Sequence, residues 1–558
     1  MANRPKKSAN GSNILVGNLL PILTIIAIAS AVFLQTGDNY TPNVLKKLLG
    51  LAIPITLALL FASSVITKRK FSLSKIEFNW IIAWLIYLFF RGIISPNVSH
   101  ALVGEPSRNL GILTYSLLLA FFFVGRIIGL SGKSKSLLYG LIAIAFAEAL
   151  VVLYQAWFAP ATFMGILKSA PNASVVGSFY NANPLSFFLG ISACALFVYL
   201  ISLEKGSLRI LPLLVAIEIV LIYALILSNS SQGLIIWGLI VIVFSLKRFV
   251  PVLSKYFTSA QVMLYGVSLF VFFLVVLLVP ISDPSKIATN PYLERLEIYK
   301  SAVKIFLAHP LLGVGIESFS TEYGKYTITT LMHLVDNAHS IPLHFLSTQG
   351  ILGFLLYGGF ITWILFRRQN ESIVSNPEWG FWQSGFLAYA LIGIIGIEYP
   401  AIGAIAFLIA GILSSLSRVN AGSKALESQG NFHLKYSGLF ALTLSVAVLV
   451  GLSSFAITEF RVAKNISDLS ERKISSNEFQ MLLRQDYLKL QNAQLLLTAG
   501  QALIAINDES GAMAIANKML QSFPRDQRTS VLFLTIGNTW NNQEAIEKGE
   551  RIRDQLFP

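Results

Sequence analysis

A histidine suited to proton transfer lies where a polar segment meets a long apolar run. Residues 334–345 read LVDNAHSIPLHF and contain His339 and His344. A histidine with a pKa of about 6.5 can accept a proton at neutral pH and act as a general base. Asp336 and Asn337 stand close enough in sequence to orient His339. A histidine at a helix start can equally hydrogen-bond the backbone, and composition alone favours that role. His344 is interpreted as a packing residue deeper in the apolar run.

Two arginines near the ends of apolar runs could bind a phosphate-containing ligand. Arg91 lies in IYLFFRGIISP and Arg108 in GEPSRNLGILTY, while a third arginine, Arg295, lies in ERLEIYKSAVK. A guanidinium group stays charged and its donors match phosphate oxygens, so the pair Arg91 and Arg108 suits a diphosphate. The alternative for Arg91 and Arg108 is that they extend from span ends to lipid headgroups.

Four further polar residues are predicted to support this site: Asn183, Gln232, Lys300 and Asn337. Asn183 can instead cap a helix that Pro184 starts, and Gln232 can satisfy helix ends in a short hairpin. Two carboxylates within apolar runs, Glu148 and Glu218, are assigned no role. The sequence contains no HExxH motif and no Cys/His cluster, so no metal site and no cofactor is predicted.

The elements that must position these residues are membrane helices. The chain has 558 residues, of which 54% are hydrophobic and only 13% are charged, against roughly a quarter charged in soluble proteins. Apolar runs of about 18–25 residues recur, each long enough to cross a bilayer. The predicted spans are 14–34, 48–66, 78–94, 110–130, 136–157, 184–202, 210–228, 233–246, 262–281, 341–366, 382–399, 401–416 and 436–456. The fold class is therefore an all-α polytopic membrane protein with about 12–14 transmembrane helices.

The distribution of Lys and Arg predicts the orientation. They are concentrated in alternate loops, whereas the short loops of the other set carry only Lys46, Lys47, Arg108 and Lys168. Basic loops stay in the cytoplasm, which predicts a cytoplasmic N-terminus. The net charge of +14 then reflects topology and not nucleic-acid binding.

This topology predicts two domains. Residues 1–456 form a transmembrane domain with a large extracytoplasmic loop at about 282–340, and residues 457–558 form an extracytoplasmic helical domain. Asn290 and Pro291 predict a helix start within the loop. In the tail, Phe523-Pro524 recurs 34 residues later as Phe557-Pro558, which is the period of a tetratricopeptide repeat. A generic helical hairpin is the alternative.

The order of several motifs resembles the O-antigen ligase and polymerase family of bacterial membrane glycosyltransferases. The matching parts are Arg295, the turn PLLGVG at 310–315, Phe319, the AHS at 338–340 and QGILG at 349–353. The upstream stretches EPSRNLGILTY and GSFYNANPLSFFL are similar to family motifs as well. The sequence departs from the family pattern in having Ser340 in place of Asn, Gln349 in place of Glu, and Gln232 where an arginine is common.

The resemblance implies transfer of a glycan from a polyprenyl-diphosphate carrier to an acceptor hydroxyl outside the plasma membrane. It implies His339 as the general base, and Arg108, Arg295 and Arg91 as diphosphate ligands. The acceptor could be a glycan, a lipid or a protein, so a polysaccharide polymerase and a protein O-oligosaccharyltransferase remain alternatives. Membrane lipids surround the spans, and the tail could bind a partner protein.

Two other classes of function are compatible with the composition. A transporter or flippase of lipid-linked sugars would be expected to show internal repeats and interrupted spans, and no clear inverted repeat is visible. A scaffold that binds partners through its tail would not need His339.

Overall fold

The computed structural model describes residues 11–34, 43–66, 73–96, 98–158, 175–179, 181–203, 209–249, 257–281, 284–328, 335–366, 376–419, 437–486 and 492–556. These residues form helices and no β-strand. In chain order the α-helices are α1 (Gly11–Phe33), α2 (Asn43–Ile66), α3 (Lys75–Ile93), α4 (Val98–Val103), α5 (Ile112–Leu130), α6 (Ser134–Phe158), α7 (Ala182–Ser202), α8 (Leu211–Leu227), α9 (Ser231–Phe249), α10 (Phe257–Leu278), α11 (Pro291–Ala308), α12 (Phe319–Tyr323), α13 (Ile341–Phe366), α14 (Pro377–Ile394), α15 (Pro400–Val419), α16 (Ser437–Ser470), α17 (Ser476–Asp486), α18 (Ala493–Ala505), α19 (Glu509–Ser522), α20 (Gln527–Trp540) and α21 (Gln543–Leu556).

Each predicted span coincides with one of these helices, which confirms the all-α polytopic fold class. By length and composition, seven helices of the described chain can cross a membrane: α3, α5, α6, α7, α9, α13 and α16. Others, such as α8, are apolar but shorter. Which face of the membrane each end occupies stays a prediction.

Helices α5 and α15 form a close parallel pair. A Cβ added at Gly125 would lie 2.1 Å from the Leu408 carbonyl oxygen, and one added at Gly411 would lie 2.1 Å from that of Phe122. Small residues let helix backbones approach in this way. Farther along the pair, Gly129 adjoins Ser415. The turns that precede the two helices therefore lie at the same end of the bundle.

Helix α13 is broken at Gly350, where φ is 66° and ψ is −171°. The turn at 310–315 fits into this break through backbone hydrogen bonds. The amides of Val314 and Gly315 donate to the carbonyls of Ser347 (3.0 Å) and Thr348 (2.8 Å). The Ile351 amide donates to the Pro310 carbonyl at 2.8 Å. The two most distinctive family-like motifs are thus two halves of one structural unit.

The carboxylates within the bundle have defined partners. Glu148 accepts hydrogen bonds from the amide (2.7 Å) and the hydroxyl (2.6 Å) of Ser178. Glu218 accepts one from the indole N–H of Trp237 at 2.9 Å. Local hydrogen bonding therefore accounts for Glu148. The second carboxylate oxygen of Glu218 is buried and has no hydrogen-bond partner among the described residues.

The tail continues directly from the last long helix. Helix α16 runs without a break across residues 456 and 457, and the tail's own apolar core begins at Val462. Helices α17, α19 and α21 begin 33 and 34 residues apart, and each contacts the helix that precedes it. The end of α16 and α17 thus form a helix pair ahead of the stretch in which the sequence repeats Phe-Pro. Phe557-Pro558 lies outside the described residues, and the tetratricopeptide assignment and the domain limits stay predictions.

Candidate functional site

Three of the predicted site residues meet at one cluster. The side-chain carbonyl of Asn183 accepts hydrogen bonds from the Arg295 guanidinium (2.9 Å) and the Ser230 hydroxyl (3.1 Å). The Gln232 amide donates to the Asn183 backbone carbonyl at 2.5 Å. This Asn183 cluster joins the loop helix α11 to the ends of α7 and α9.

The cap of α7 differs from the sequence expectation. Asn181, and not Asn183, is the N-cap, and its side chain accepts from the Asn183 amide at 2.9 Å. Asn183 stands one residue inside the helix, so its side chain is available to Arg295. The loop helix α11, in contrast, begins as predicted. Asn290 caps it by accepting from the amides of Tyr292 (3.0 Å) and Leu293 (3.4 Å).

His339 is held by its backbone in a left-handed conformation, with φ of 48°. Its amide donates to the side-chain carbonyl of Asn337 at 2.7 Å. Its carbonyl accepts from the Tyr299 hydroxyl at 3.3 Å. Few non-glycine residues adopt a positive φ, and such positions persist only where neighbours hold them. These bonds fix where the half-buried His339 side chain emerges.

Helix α11 connects the Asn183 cluster with the His339 loop. Arg295 and Tyr299 are four residues apart, so they lie on one face of the helix. Arg295 contacts Asn183, and Tyr299 contacts His339. Burial raises the pKa of the Tyr299 phenol to about 12, although the Arg295 charge acts to lower it. Tyr299 is therefore a neutral hydrogen-bond donor at physiological pH.

Arg108 is buried and paired with carboxylates. Its guanidinium lies 3.0 Å from the Glu317 carboxylate and 3.1 Å from the Asp336 carbonyl. A second guanidinium nitrogen lies 3.8 Å from the Asp336 carboxylate, and Arg108 is only 2% exposed. Burial acts to lower the pKa of Arg108, but the nearby carboxylates outweigh it and the pKa is raised. Arg108 therefore stays charged and ties the His339 loop to the turn before α5.

Glu317 is a site residue that sequence reasoning did not single out. Besides Arg108, it contacts the His344 imidazole at 3.1 Å and accepts from the Glu105 amide at 3.2 Å. Burial acts to raise the pKa of Glu317. The interactions with Arg108 and His344 act in the opposite direction and outweigh burial, so the pKa is lowered. Its place two residues after the PLLGVG turn was the available signal.

His344 lies in this site and is not a packing residue remote from it. It lines a pocket with Arg108, Tyr115, Asn337, Ser340 and Glu398. The hydroxyl of Ser340, the residue that departs from the family pattern, also accepts from the Leu343 amide at 3.4 Å and so caps α13. The ionisable groups that line the pocket thus include Arg108 from the turn before α5, His344 from the first turn of α13 and Glu398 from the turn before α15.

Glu398 presents a carboxylate to the same pocket. One of its oxygens accepts hydrogen bonds from the hydroxyls of Tyr357 (2.6 Å) and Tyr389 (2.7 Å). The other is buried and has no hydrogen-bond partner among the residues that the structure describes. A Cβ at the neighbouring Gly396 would lie 3.2 Å from the Gln232 side-chain oxygen. The 396–398 turn therefore joins the pocket to the Asn183 cluster.

Arg91 and Lys300 lie apart from these contacts. Arg91 donates to the backbone carbonyls of Leu312 (2.6 Å) and Gly313 (2.9 Å) and is 3% exposed. It therefore fixes the 310–315 turn. Lys300 lies on α11 with a half-buried side chain. Neither residue contacts the Asn183 cluster or the His339 loop through the hydrogen bonds of the described chain.

Residues 216–358 match the family model described as O-antigen ligase. The matched segment extends from α8 into α13 and includes Gln232, Arg295 and His339. It confirms the resemblance that the motifs indicated, and it supports a function in membrane glycan transfer. Arg91, Arg108 and Asn183 precede the matched segment. No curated protein matches the chain.

Proposed function

We propose that the protein transfers a glycan from a polyprenyl-diphosphate carrier to an acceptor hydroxyl at the extracytoplasmic face of the bacterial plasma membrane. The observation that carries this proposal is the geometry of α11. This helix holds a partly exposed arginine, Arg295, and the His339 loop on one face, within the segment that matches the O-antigen ligase family. Arg295 lies on α11 and the backbone of His339 is hydrogen-bonded to it, which supports a cation for the leaving group and a base for the acceptor held by one element.

Arg295 is the best-placed ligand for the diphosphate. Its side chain is half-buried, and its described hydrogen-bond partner is the neutral Asn183 amide. No carboxylate of the described residues forms an ion pair with it. Its charge is therefore available to a phosphate oxygen, which a guanidinium can bind through two parallel hydrogen bonds. Asn183 and Gln232 would hold the guanidinium in place, and Lys300 would add positive charge along α11.

Arg108 and Arg91 support the site in another way. Arg108 faces Glu317 and Asp336, so a phosphate there would have to displace a buried carboxylate. We therefore assign Arg108 to holding the His339 loop, helped by Asn337. Arg91 would act one step farther away, through the 310–315 turn that it binds.

His339 would act as the general base. As the acceptor hydroxyl attacks the anomeric carbon, its proton passes to the His339 imidazole. The bond between that carbon and the phosphate oxygen breaks, and the diphosphate leaves with its electron pair beside Arg295. Because a diphosphate is a good leaving group, we expect transfer without an added divalent metal.

A transfer assay with purified full-length protein, a lipid-diphosphate glycan and candidate acceptors tests this function. We expect His339→Ala to lower kcat by about 10²–10⁴-fold, the usual contribution of a general base. His309 is a matched control because it is an exposed histidine that ends α11 in the same loop. His309→Ala should transfer like wild type. Wild-type rates in His339→Ala would rule out the base.

Product analysis separates the narrower possibilities. A lengthened lipid-linked glycan identifies a polymerase, and a new glycoconjugate identifies a ligase or a protein O-oligosaccharyltransferase. Movement of intact lipid-linked glycan across the membrane, without any new glycosidic bond, would instead indicate a transporter.

A further inference from the structure

The tail domain contacts the site through a buried ion pair. The Arg528 guanidinium, which lies on α20, binds both oxygens of the Glu105 carboxylate, at 2.7 and 3.1 Å. Asp526 binds the remaining edge of the same guanidinium, at 2.9 and 2.7 Å. The Arg528 side chain is 6% exposed and that of Glu105 is 1% exposed. Two-point contacts of this kind fix orientation as well as distance.

Glu105 begins the turn that carries Arg108. Its carbonyl accepts hydrogen bonds from the amides of Arg108 (2.9 Å) and Asn109 (2.6 Å). Its own amide donates to Glu317 at 3.2 Å. The side chain of Glu105 thus points to the tail, while its backbone organises the turn on the site side. A displacement of Glu105 would move Arg108.

Arg108 in turn holds the loop of the predicted base. It binds the Asp336 carbonyl at 3.1 Å and lies 3.8 Å from the Asp336 carboxylate. Asp336 binds the side chain of Asn337, and Asn337 accepts from the His339 amide. A continuous series of polar contacts therefore leads from Arg528 in the tail to His339.

We propose that Arg528 is a positioning residue for glycan transfer, and that the tail domain completes the site by fixing the 105–109 turn. This inference rests on the proposed function of His339. Without Arg528, the carboxylates of Glu105 and Asp526 would be buried with only the His100 imidazole, 4.0 Å from Glu105, beside them. The turn would then move to separate or hydrate them. A shift of about 1 Å in a reacting group can lower a rate by about 10²-fold.

The structure predicts which kinetic constant changes. The Asn183 cluster, which we assign to the donor diphosphate, shares no hydrogen bond with the 105–109 turn in the described chain. Loss of Arg528 should therefore lower kcat by about 10–100-fold, with the KM for the lipid-linked donor within about twofold of wild type. The affinity for undecaprenyl diphosphate should also be unchanged.

A second arginine at the same interface provides a matched control. Arg525 contacts Glu322 at 3.3 Å, but its side chain is 63% exposed, and an exposed ion pair contributes little. Arg525→Met should keep wild-type kcat, whereas Arg528→Met should not. Arg528→Lys keeps the charge but not the two-point contact and should recover part of the rate. Glu105→Gln removes the charge of the other partner in the ion pair with little change in side-chain shape. It replaces Arg528→Met as the test variant if Arg528→Met does not fold.

Hydrogen exchange of residues 335–345 provides a readout that does not depend on activity. Exchange in this segment should be faster in Arg528→Met and Glu105→Gln than in Arg525→Met. Wild-type kcat and wild-type exchange in both Arg528→Met and Glu105→Gln would overturn the positioning role of Arg528. So would a loss of undecaprenyl diphosphate binding in parallel with kcat, since that result indicates general disruption. A wild-type protein that transfers no glycan would refute the proposed function alone, and the exchange result would still decide the coupling.

Discussion

At the scale of single residues, two histidines five positions apart have different surroundings. His339 is half-buried and fixed through its backbone, whereas His344 is buried against Glu317 beside Arg108. In the proposed function the first would meet an acceptor hydroxyl. The second belongs to the charged group that holds the loop. Glu317 is central to that group because it contacts Arg108, His344 and the backbone of Glu105.

Replacing Glu317 with Gln should therefore be costly. The substitution leaves Arg108 buried without its closest counter-charge, a loss of about 3–5 kcal/mol of unfolding free energy for buried pairs. Glu322→Gln is the control, because the partners of Glu322, Lys325 and Arg525, are 33% and 63% exposed. That change should cost less than about 1 kcal/mol. Thermal unfolding of the purified proteins measures both, and equal midpoints would contradict the importance of the buried pair.

At the scale of elements, the break in α13 and the 310–315 turn depend on each other. Gly350 has a positive φ, and a Cβ there would lie 2.3 Å from the Leu311 carbonyl oxygen. Gly313 is equally constrained, with a Cβ position 2.4 Å from the Thr348 carbonyl carbon. Arg91 binds the same turn from α3. This unit sets the position of the segment between the turn and α13, which includes Glu317 and His339.

Gly350→Ala should destabilise the protein by about 3 kcal/mol, since backbone strain and overpacking each cost about 1–3 kcal/mol. The same helix supplies a control at Gly359, where an added Cβ meets nothing within 4 Å. Gly359→Ala should be neutral or stabilising because alanine favours helix by about 1 kcal/mol. Unfolding midpoints in detergent compare the two, and similar losses would refute the account of the break.

Arg91→Gln tests the role of that arginine. The change removes a charged donor from the carbonyls of Leu312 and Gly313, and hydrogen bonds to charged groups contribute about 1.5–3 kcal/mol. We expect a lower unfolding midpoint and unchanged affinity for undecaprenyl diphosphate. Arg295→Gln should instead keep the wild-type unfolding midpoint and bind undecaprenyl diphosphate more weakly. Weaker diphosphate binding in Arg91→Gln at an unchanged midpoint would restore Arg91 as a direct ligand.

At the scale of the whole molecule, the tail is part of one assembly with the membrane helices. Helix α16 passes from the bundle into the tail core, and Arg528 returns the chain to the 105–109 turn. A partly open cavity of about 290 Å³ lies beside this contact, lined by residues that include His100, Glu322 and Phe523.

The contact between the tail and the 105–109 turn should be lost only at acidic pH. Burial acts to raise the pKa of Asp526, but Arg528 outweighs it and the pKa is lowered; the pKa of Glu317 is lowered as well. Groups with a depressed folded-state pKa stabilise the protein fully above their unfolded pKa of about 4 and lose this contribution as pH falls through the folded value. Limited proteolysis between α16 and α20 should be unchanged from pH 7 to 5 and increase below about 4. An increase in proteolysis already near pH 6 would contradict the predicted direction of this pH dependence.

The sequence by itself determined the membrane class, the spans and the order of the motifs. These depend on local properties: apolar length, helix caps such as Asn290, and glycines at a turn. It also singled out His339 and Arg295 as candidates, because the order of the motifs around them resembles a known family.

Tertiary structure alone decided which charges face each other. Nothing in the sequence shows that Glu105 meets Arg528, more than four hundred residues away, or that Glu317 lies between Arg108 and His344. Such pairs depend on how helices pack, and electrostatic interactions act through space with no fixed spacing along the chain. For the same reason the three arginines have different contact partners: Arg295 faces an amide, Arg108 faces carboxylates and Arg91 faces the backbone.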